Sequence, residues 1–248
     1  MAEPYLSIII PAFNEESRIG PSLDAILLYV VGRPNPVEII VVDDGSTDGT
    51  SEVARQALAK TAMGRVIINE SNRGKGYSIR RGVLAARADL VLVSDADLST
   101  PIEDAERLMA RMGRTGRGIV IGSRAMPDSR VLIHQNPMRE IMGKVFNRIV
   151  RLATGLPFHD TQCGFKLMSR RDVGPIFSKA LIDGFSYDVE LLYVAMRRGV
   201  PIEEVGVTWC NAPGSKVGIL SDPVRMLRDV LRVRRWYAQG RYAESPGG

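Results

Sequence analysis

Short apolar runs alternate with segments of helical periodicity through the first half of the chain. Residues 6–11 (LSIIIP), 37–42 (VEIIVV), 65–69 and 90–93 (LVLV) are compact apolar runs of strand length. Runs of this kind, lacking polar alternation, mark strands covered on both faces. Between them, residues 15–31, 51–60 and 76–88 place apolar side chains at helical spacing, and 104–114 predicts another helix ahead of a strand at 118–122. A β-α-β-α order predicts an α/β fold with a mostly parallel central sheet flanked by helices and joined by right-handed crossovers. The second half is less regular. It predicts a helix over 138–154, a short strand over 163–168, a helix over 188–198, a strand over 202–209 and a closing helix over 222–239. The first and last of these read as amphipathic, with Arg and Lys on the polar face.

Acidic residues gather where the strands end. The run Leu90–Val93 is followed at once by Ser94, Asp95, Ala96 and Asp97. Ligands of open α/β sheets bind beyond the carboxyl ends of the strands, so both aspartates are expected to face a crevice. Two close carboxylates repel, and a hard divalent cation such as Mg²⁺ relieves the repulsion while substrate phosphates fill the rest of its shell. Asp43 and Asp44 end the 37–42 run in the same way, more acid than a turn requires. After the first strand come Pro11, Ala12, Phe13, Asn14, Glu15 and Glu16, a segment that suits either hydrogen bonding to a base and ribose or a helix N-cap at Asn14. It is not a GxGxxG, which disfavours the dinucleotide fingerprint. Gly74-Lys75-Gly76 precedes a helix and lets amides and a cation approach a phosphate, without the spacing of a Walker A loop.

Composition narrows the classes. A net charge of +5 and a pI near 9.4 favour an anionic partner. The charge is concentrated: Arg225, Arg228, Arg232, Arg234, Arg235 and Arg241 face the single acid Asp229. Two distant cysteines, Cys163 and Cys210, offer neither a zinc spacing nor a disulfide framework, as expected of a reducing, cytoplasmic compartment. No apolar run approaches the roughly 20 residues needed to span a bilayer.

Taken together, PAFNEE, VVDDGSTDGT, NRGKG and SDAD in this order resemble the family 2 glycosyltransferases of the GT-A fold, over roughly residues 6–124. The resemblance implies that Pro11, Ala12, Asn14, Glu15, Asp43 and Asp44 hold the base and ribose of a nucleotide sugar. It places Lys75 near the diphosphate and gives Asp95, Ala96 and Asp97 the donor sugar, with Asp95 and Asp97 binding Mg²⁺ or Mn²⁺. Gly122-Ser123-Arg124 matches the motif that follows this module in polyprenyl-phosphate sugar synthases. The segments 160–167 (DTQCGFKL), 185–192 (FSYDVELL) and 213–216 (PGSK) look like those of the dolichyl-phosphate β-glucosyltransferases, over about residues 5–236. Eukaryotic members carry an N-terminal membrane anchor that is not evident here, so a bacterial or archaeal polyprenyl phosphate is an expected carrier beside dolichol.

These readings imply one GT-A domain over 1–243, with a nucleotide-sugar half to about 124, an acceptor half over about 125–219, a basic helix near 220–240 and a tail at 244–248. A lipid monophosphate acceptor carries about −1.5 to −2 charge, and arginine matches it in bidentate fashion. Arg124, Arg139 and Lys216, with Gln162, are the candidates to hold it. Asp97, Asp160, Arg124 and Lys216 form the expected catalytic set, with Asp160 orienting or deprotonating the acceptor. Cys163, Phe165 and Leu167 are expected in the core. Such an acceptor requires a peripheral enzyme on the cytoplasmic face of the membrane, its basic helices in the interface plane and Trp236 and Tyr237 at headgroup level. No nucleic-acid partner is expected. The expected reaction is a metal-dependent, inverting transfer of glucose from UDP-glucose to polyprenyl phosphate. The alternatives are the same transfer from GDP-mannose or another sugar nucleotide, a nucleotidyltransferase, and a non-catalytic binder of anionic ligands.

Overall fold

The computed structural model describes residues 3–113, 116–133, 137–211 and 221–243, without the side chains of 137–139 and 221–224. Its centre is a sheet of seven strands: β1 (Leu6–Ala12), β2 (Val37–Asp43), β3 (Gly64–Ile68), β4 (Leu90–Val93), β5 (Ile119–Ser123), β7 (Lys166–Ser169) and β8 (Ile202–Gly206), in the order β3-β2-β1-β4-β7-β5-β8. Pairings among β3, β2, β1 and β4 are parallel, as is β5 with β8. A separate parallel pair joins β6 (Arg130–Ile133) to β9 (Thr208–Cys210).

The apolar runs are fully covered because helices pack on both sheet faces. Alternate side chains divide between two cores. Ile9, Ile40, Val42 and Val91 join one, whereas Ile8, Ile10, Ile39 and Leu92 join the other. This is the period-2 geometry of a strand acting on an uninterrupted apolar run. The helices are α1 (Glu16–Val30), α2 (Thr50–Leu58), α3 (Lys75–Ala85), α4 (Ala105–Met112, entered through a 3₁₀ turn), α5 (Pro137–Thr154), α6 (Arg170–Phe177), α7 (Tyr187–Arg197) and α8 (Ser221–Ala238).

Four elements differ from the sequence expectation. The strand expected at 163–168 begins only at Lys166 and runs antiparallel to both β4 and β5. The run 202–209 divides at Val207, whose carbonyl accepts from Arg130 and whose N–H donates to Ser123. It thereby serves two sheets in succession. Helix α6 is unforeseen because Pro175 interrupts its pattern, and β6 because Leu132 and Ile133 are exposed rather than covered.

The order of the strands positions the site. From β1 the chain moves outward to β2 and β3, then returns to place β4 on the other side of β1. Crossovers therefore diverge at β1 and β4, which opens a crevice beyond their carboxyl ends.

Candidate active site

A cleft of about 1000 Å³ lies at that switch point, lined by Pro11, Ala12, Glu15, Asp44, Lys75, Asp95, Ala96, Asp97, Arg124 and Gln162 among others. A volume of this size accommodates a nucleotide sugar together with an acceptor headgroup.

Asp95 and Asp97 are aimed by the turn that ends β4. The Leu98 N–H donates to the Asp95 carbonyl at 3.2 Å, and Leu98 adopts φ 46, a left-handed conformation unusual for a branched side chain. Strain of this kind persists where surrounding structure enforces it. Asp97 Oδ1 accepts from the amide (3.0 Å) and hydroxyl (2.9 Å) of Ser99. Asp95 Oδ1 accepts from Lys75 Nζ at 2.5 Å. Burial opposes both charges, but each partner's charge outweighs it: the Asp95 carboxyl is held below the usual carboxylate range and the Lys75 ammonium above its own.

Gly164 allows the second wall to close. It packs so near Asp95 that a Cβ there would fall well inside contact distance of the carboxylate. The antiparallel sense of β7 brings it there, because the pairing of Val93 with Lys166 sets the start of β7 beside the end of β4. Among the described residues no group of three or more His, Cys, Asp or Glu could enclose a metal. Two aspartates in an open cleft have the oxygen donors that a hard divalent ion takes when phosphate oxygens complete its shell.

Asp44 shapes the loop before Lys75. Its Oδ1 accepts from Asn69 Nδ2 (2.6 Å) and the Arg73 N–H (3.0 Å), and its Oδ2 from the Gly74 N–H (2.7 Å). Gly74 has φ 104, and the Asp183 carbonyl occupies the place of a side chain. Asp43 and Asn14, by contrast, do not line the cleft. Asp43 Oδ1 accepts from the Ser46 amide at 3.0 Å, and its Oδ2 from the Ser51 hydroxyl. Asn14 is not the cap of α1. It adopts φ 50, and its Oδ1 accepts from the Thr47 N–H at 2.9 Å, which ties the loop after β1 to the loop after β2. The helix begins one residue later, with Glu15 at its cap position.

On the other side of the cleft, Arg124 and Asp160 form a two-pronged pair, Nε to Oδ2 2.7 Å and Nη2 to Oδ1 3.0 Å. The Arg124 guanidinium also lies 5.4 Å from the Trp209 ring centre. Asp160 is buried, and burial alone would raise its carboxyl. The Arg124 charge and hydrogen bonds prevail and hold it below the usual range. Held ionised in this way, Asp160 fixes the direction of the Arg124 guanidinium. Gln162 lines the cleft, and its N–H donates to Asp160 at 3.2 Å. Arg139 falls in α5 with its side chain outside the described residues, and Lys216 lies outside them altogether.

Beneath the cleft, Lys166 pairs with Asp188 at 2.5 Å and donates to the Cys163 carbonyl, all within the core. The motif 160–167 carried this signal in sequence, but nothing local indicated that its lysine points inward. Cys163, Phe165 and Leu167 are buried as expected, and burial pushes the Cys163 thiol up to about 11. Trp236 and Tyr237 are half-buried against the core, Tyr237 edge-on to Tyr193 at 5.7 Å.

A family model described as "Glycosyl transferase family 2" matches residues 7–177. The chain belongs to glycosyl transferase family 2. This glycosyltransferase is 34% identical over 247 residues to the dolichyl-phosphate β-glucosyltransferase of Dictyostelium discoideum, covering 95% of the chain and 76% of that relative. The Drosophila melanogaster protein of the same name is 36% identical with the same coverage. The fold matches mannosyl-3-phosphoglycerate synthase from Rubrobacter xylanophilus at a TM-score of 0.68 and 23% identity, over 99% of this chain and 78% of that one. Glucosyl-3-phosphoglycerate synthase from Mycobacterium tuberculosis, in complex with Mn²⁺, UDP and glucosyl-3-phosphoglycerate, matches at 0.66 and 21%, over 100% and 82%. The glycosyltransferase therefore has the GT-A architecture that its motifs implied.

Proposed function

We propose that this glycosyltransferase moves glucose from UDP-glucose to a polyprenyl phosphate of the dolichyl type, giving a β-linked lipid-phosphate sugar. The observation that carries this reading is one cleft lined by both Asp95, Asp97 and Lys75 and the Arg124 anchored by Asp160. The first group suits a diphosphate with a divalent ion and the second a phosphate monoester. The names of the relatives that align along almost the whole chain supply the sugar and the carrier.

Asp95 and Asp97 would hold Mg²⁺ or Mn²⁺, and the ion would neutralise charge on the departing diphosphate. Lys75 supplies a further cation on the same side. Pro11, Ala12, Glu15 and Asp44 line the part of the cleft assigned to base and ribose, and Asn14 and Asp43 brace the two loops that carry them. Arg124 holds the acceptor phosphate, fixed in direction by Asp160. The phosphate is already ionised and needs no base. Its oxygen bonds to C1 of glucose as the bond from C1 to the UDP oxygen breaks, which inverts an α-linked donor to a β-linked product. Positioning and charge stabilisation of this kind account for most of the rate in comparable transfers.

A lipid acceptor brings the enzyme to a membrane, and we place it peripherally on the cytoplasmic face. Among the described residues no helix is long and apolar enough to cross a membrane. Helix α5 exposes Ile141, Val145, Ile149 and Leu152 while its Met142 and Phe146 line the cleft. A face of this kind supports interfacial docking next to the acceptor site. The basic side chains Arg225, Arg228 and Arg232 of α8 line the same cleft.

The test is incubation with radiolabelled UDP-glucose, Mg²⁺ or Mn²⁺, and undecaprenyl or dolichyl phosphate, with GDP-mannose as a parallel donor. An organic-extractable, alkali-stable glucose label is expected. Transfer from GDP-mannose alone refutes the glucose assignment, and no lipid product from either donor refutes the lipid acceptor.

A further inference from the structure

Glu190 is a buried carboxylate that the transfer reaction does not use. It lies in the first turn of α7. Its Oε1 accepts from the Leu181 N–H at 2.8 Å and from the Tyr242 hydroxyl at 2.6 Å, and its Oε2 from the Ile182 N–H at 3.0 Å. Burial raises its carboxyl, and these hydrogen bonds oppose the rise.

Both neighbours of this carboxylate lead to the cleft. Residues 181–186 line it. The same stretch grips the first turns of α3: Tyr77 N–H donates to the Asp183 carbonyl at 3.0 Å. Arg80 donates to the Ala180 carbonyl at 2.8 Å and to Asp183 Oδ1 at 2.7 Å. The Asp183 carbonyl is also the atom that excludes a side chain from Gly74. On the far side, Tyr242 is buried, stacks on Tyr237 of α8 at 6.2 Å, and accepts from Arg198 through its carbonyl. A continuous chain of contacts thus runs from the basic helix α8 through Tyr242, Glu190 and 181–183 to the loop that presents Lys75.

We propose that Glu190 and Tyr242 are positioning residues for the donor: together they hold 181–183 against the loop at 73–76 and so fix Lys75 and the adjoining amides for a nucleotide diphosphate. This rests on the cleft being the nucleotide-sugar site. A buried carboxylate that loses a donor lets its remaining partners loosen. The effect belongs to donor binding and not to the chemical step, because neither side chain reaches the reacting atoms.

The decisive experiment combines amide hydrogen exchange on the ligand-free protein with binding and kinetics for Tyr242→Phe and Glu190→Gln. Lys179→Met serves as control, since Lys179 holds the Ala243 carbonyl, next to Tyr242, without touching Glu190. Faster exchange across 73–80 is expected in both variants. Donor KM and the Kd for Mn²⁺-nucleotide should rise roughly three- to tenfold, the scale of one lost hydrogen bond, with kcat within about twofold of wild type. Lys179→Met should change neither. Unaltered exchange at 73–80 in Tyr242→Phe overturns the proposal, as does an equal rise in KM in the control. If Glu190→Gln does not fold, Tyr242→Phe decides alone. A wild-type protein that binds neither UDP nor GDP refutes the sugar-nucleotide reading instead, while the exchange rates still decide whether the latch exists.

Discussion

Lys75 and Asp95 form an ion pair 2.5 Å long although they come from different crossovers, one at the start of α3 and the other in the turn after β4. The pair sets a cation beside the acidic strand tip before any ligand arrives. It also keeps both groups charged in a cleft where burial alone would favour their neutral forms. The strand-tip site is thus electrically organised by the fold, and its parts are separable by substitution.

Asp97→Asn should lower glucose transfer by roughly 10²-fold or more, the scale of removing one preorganised electrostatic group. Thermal unfolding should stay within a few degrees of wild type, because among the described residues Asp97 supports the Ser99 turn through Oδ1 and an amide oxygen can still accept there. Steady-state transfer and a melting curve on the same preparation check both halves.

Gly164→Ala should weaken Mn²⁺-UDP binding by about tenfold or more, since the added methyl meets the Asp95 carboxylate and turns it away. Calorimetric titration of Mn²⁺ with UDP measures this. Retained affinity would mean that Asp95 is not needed in its present orientation.

Asp160→Asn tests whether this residue orients or deprotonates. Its folded pKa lies below the ordinary value of about 3.9. The stability it contributes is therefore complete above about pH 4 and is lost as pH falls through the lower folded value. It stays ionised from pH 6 to 9, and the variant should lose acceptor kcat/KM by a similar factor across that range. A pH–rate profile whose acid limb vanishes in the variant would show Asp160 to act as a base.

Lys166→Met leaves Asp188 buried without its cation and should cost about 3–5 kcal/mol, whereas the double variant Lys166→Met/Asp188→Leu should recover most of the loss. Urea midpoints of the two proteins give the comparison. A double variant no more stable than the single would show that the pair does more than balance its own charges.

Val145→Asp should reduce sedimentation with anionic vesicles at least severalfold while leaving nucleotide binding unchanged, because Val145 is exposed on α5 and absent from the cleft lining. Equal partitioning of variant and wild type would place the membrane contact elsewhere.

The sequence by itself determined the local half of this protein. Apolar runs too uniform to leave a face in water had to be central strands, and the helical segments between them required parallel crossovers. Strand-end acids at Asp44, Asp95 and Asp97 therefore had one place to lie, at the carboxyl edge, and the ordered motifs around them carried the family. What the sequence left open was everything that depends on chain direction and long-range pairing. Only the tertiary structure reversed β7, which brings Gly164 against Asp95 and sends Lys166 inward to Asp188. It also had Asn14 tie the loop after β1 to the loop after β2 and Asp43 hold its own turn through Ser46 and Ser51, and joined Glu190 to Tyr242 across 52 residues of chain. Periodicity records which side of an element is buried, whereas the partner of a buried polar group is chosen by the packing of distant segments. For that reason the chemistry of the strand tips is legible along the chain, and the supports that aim it are visible only in the fold.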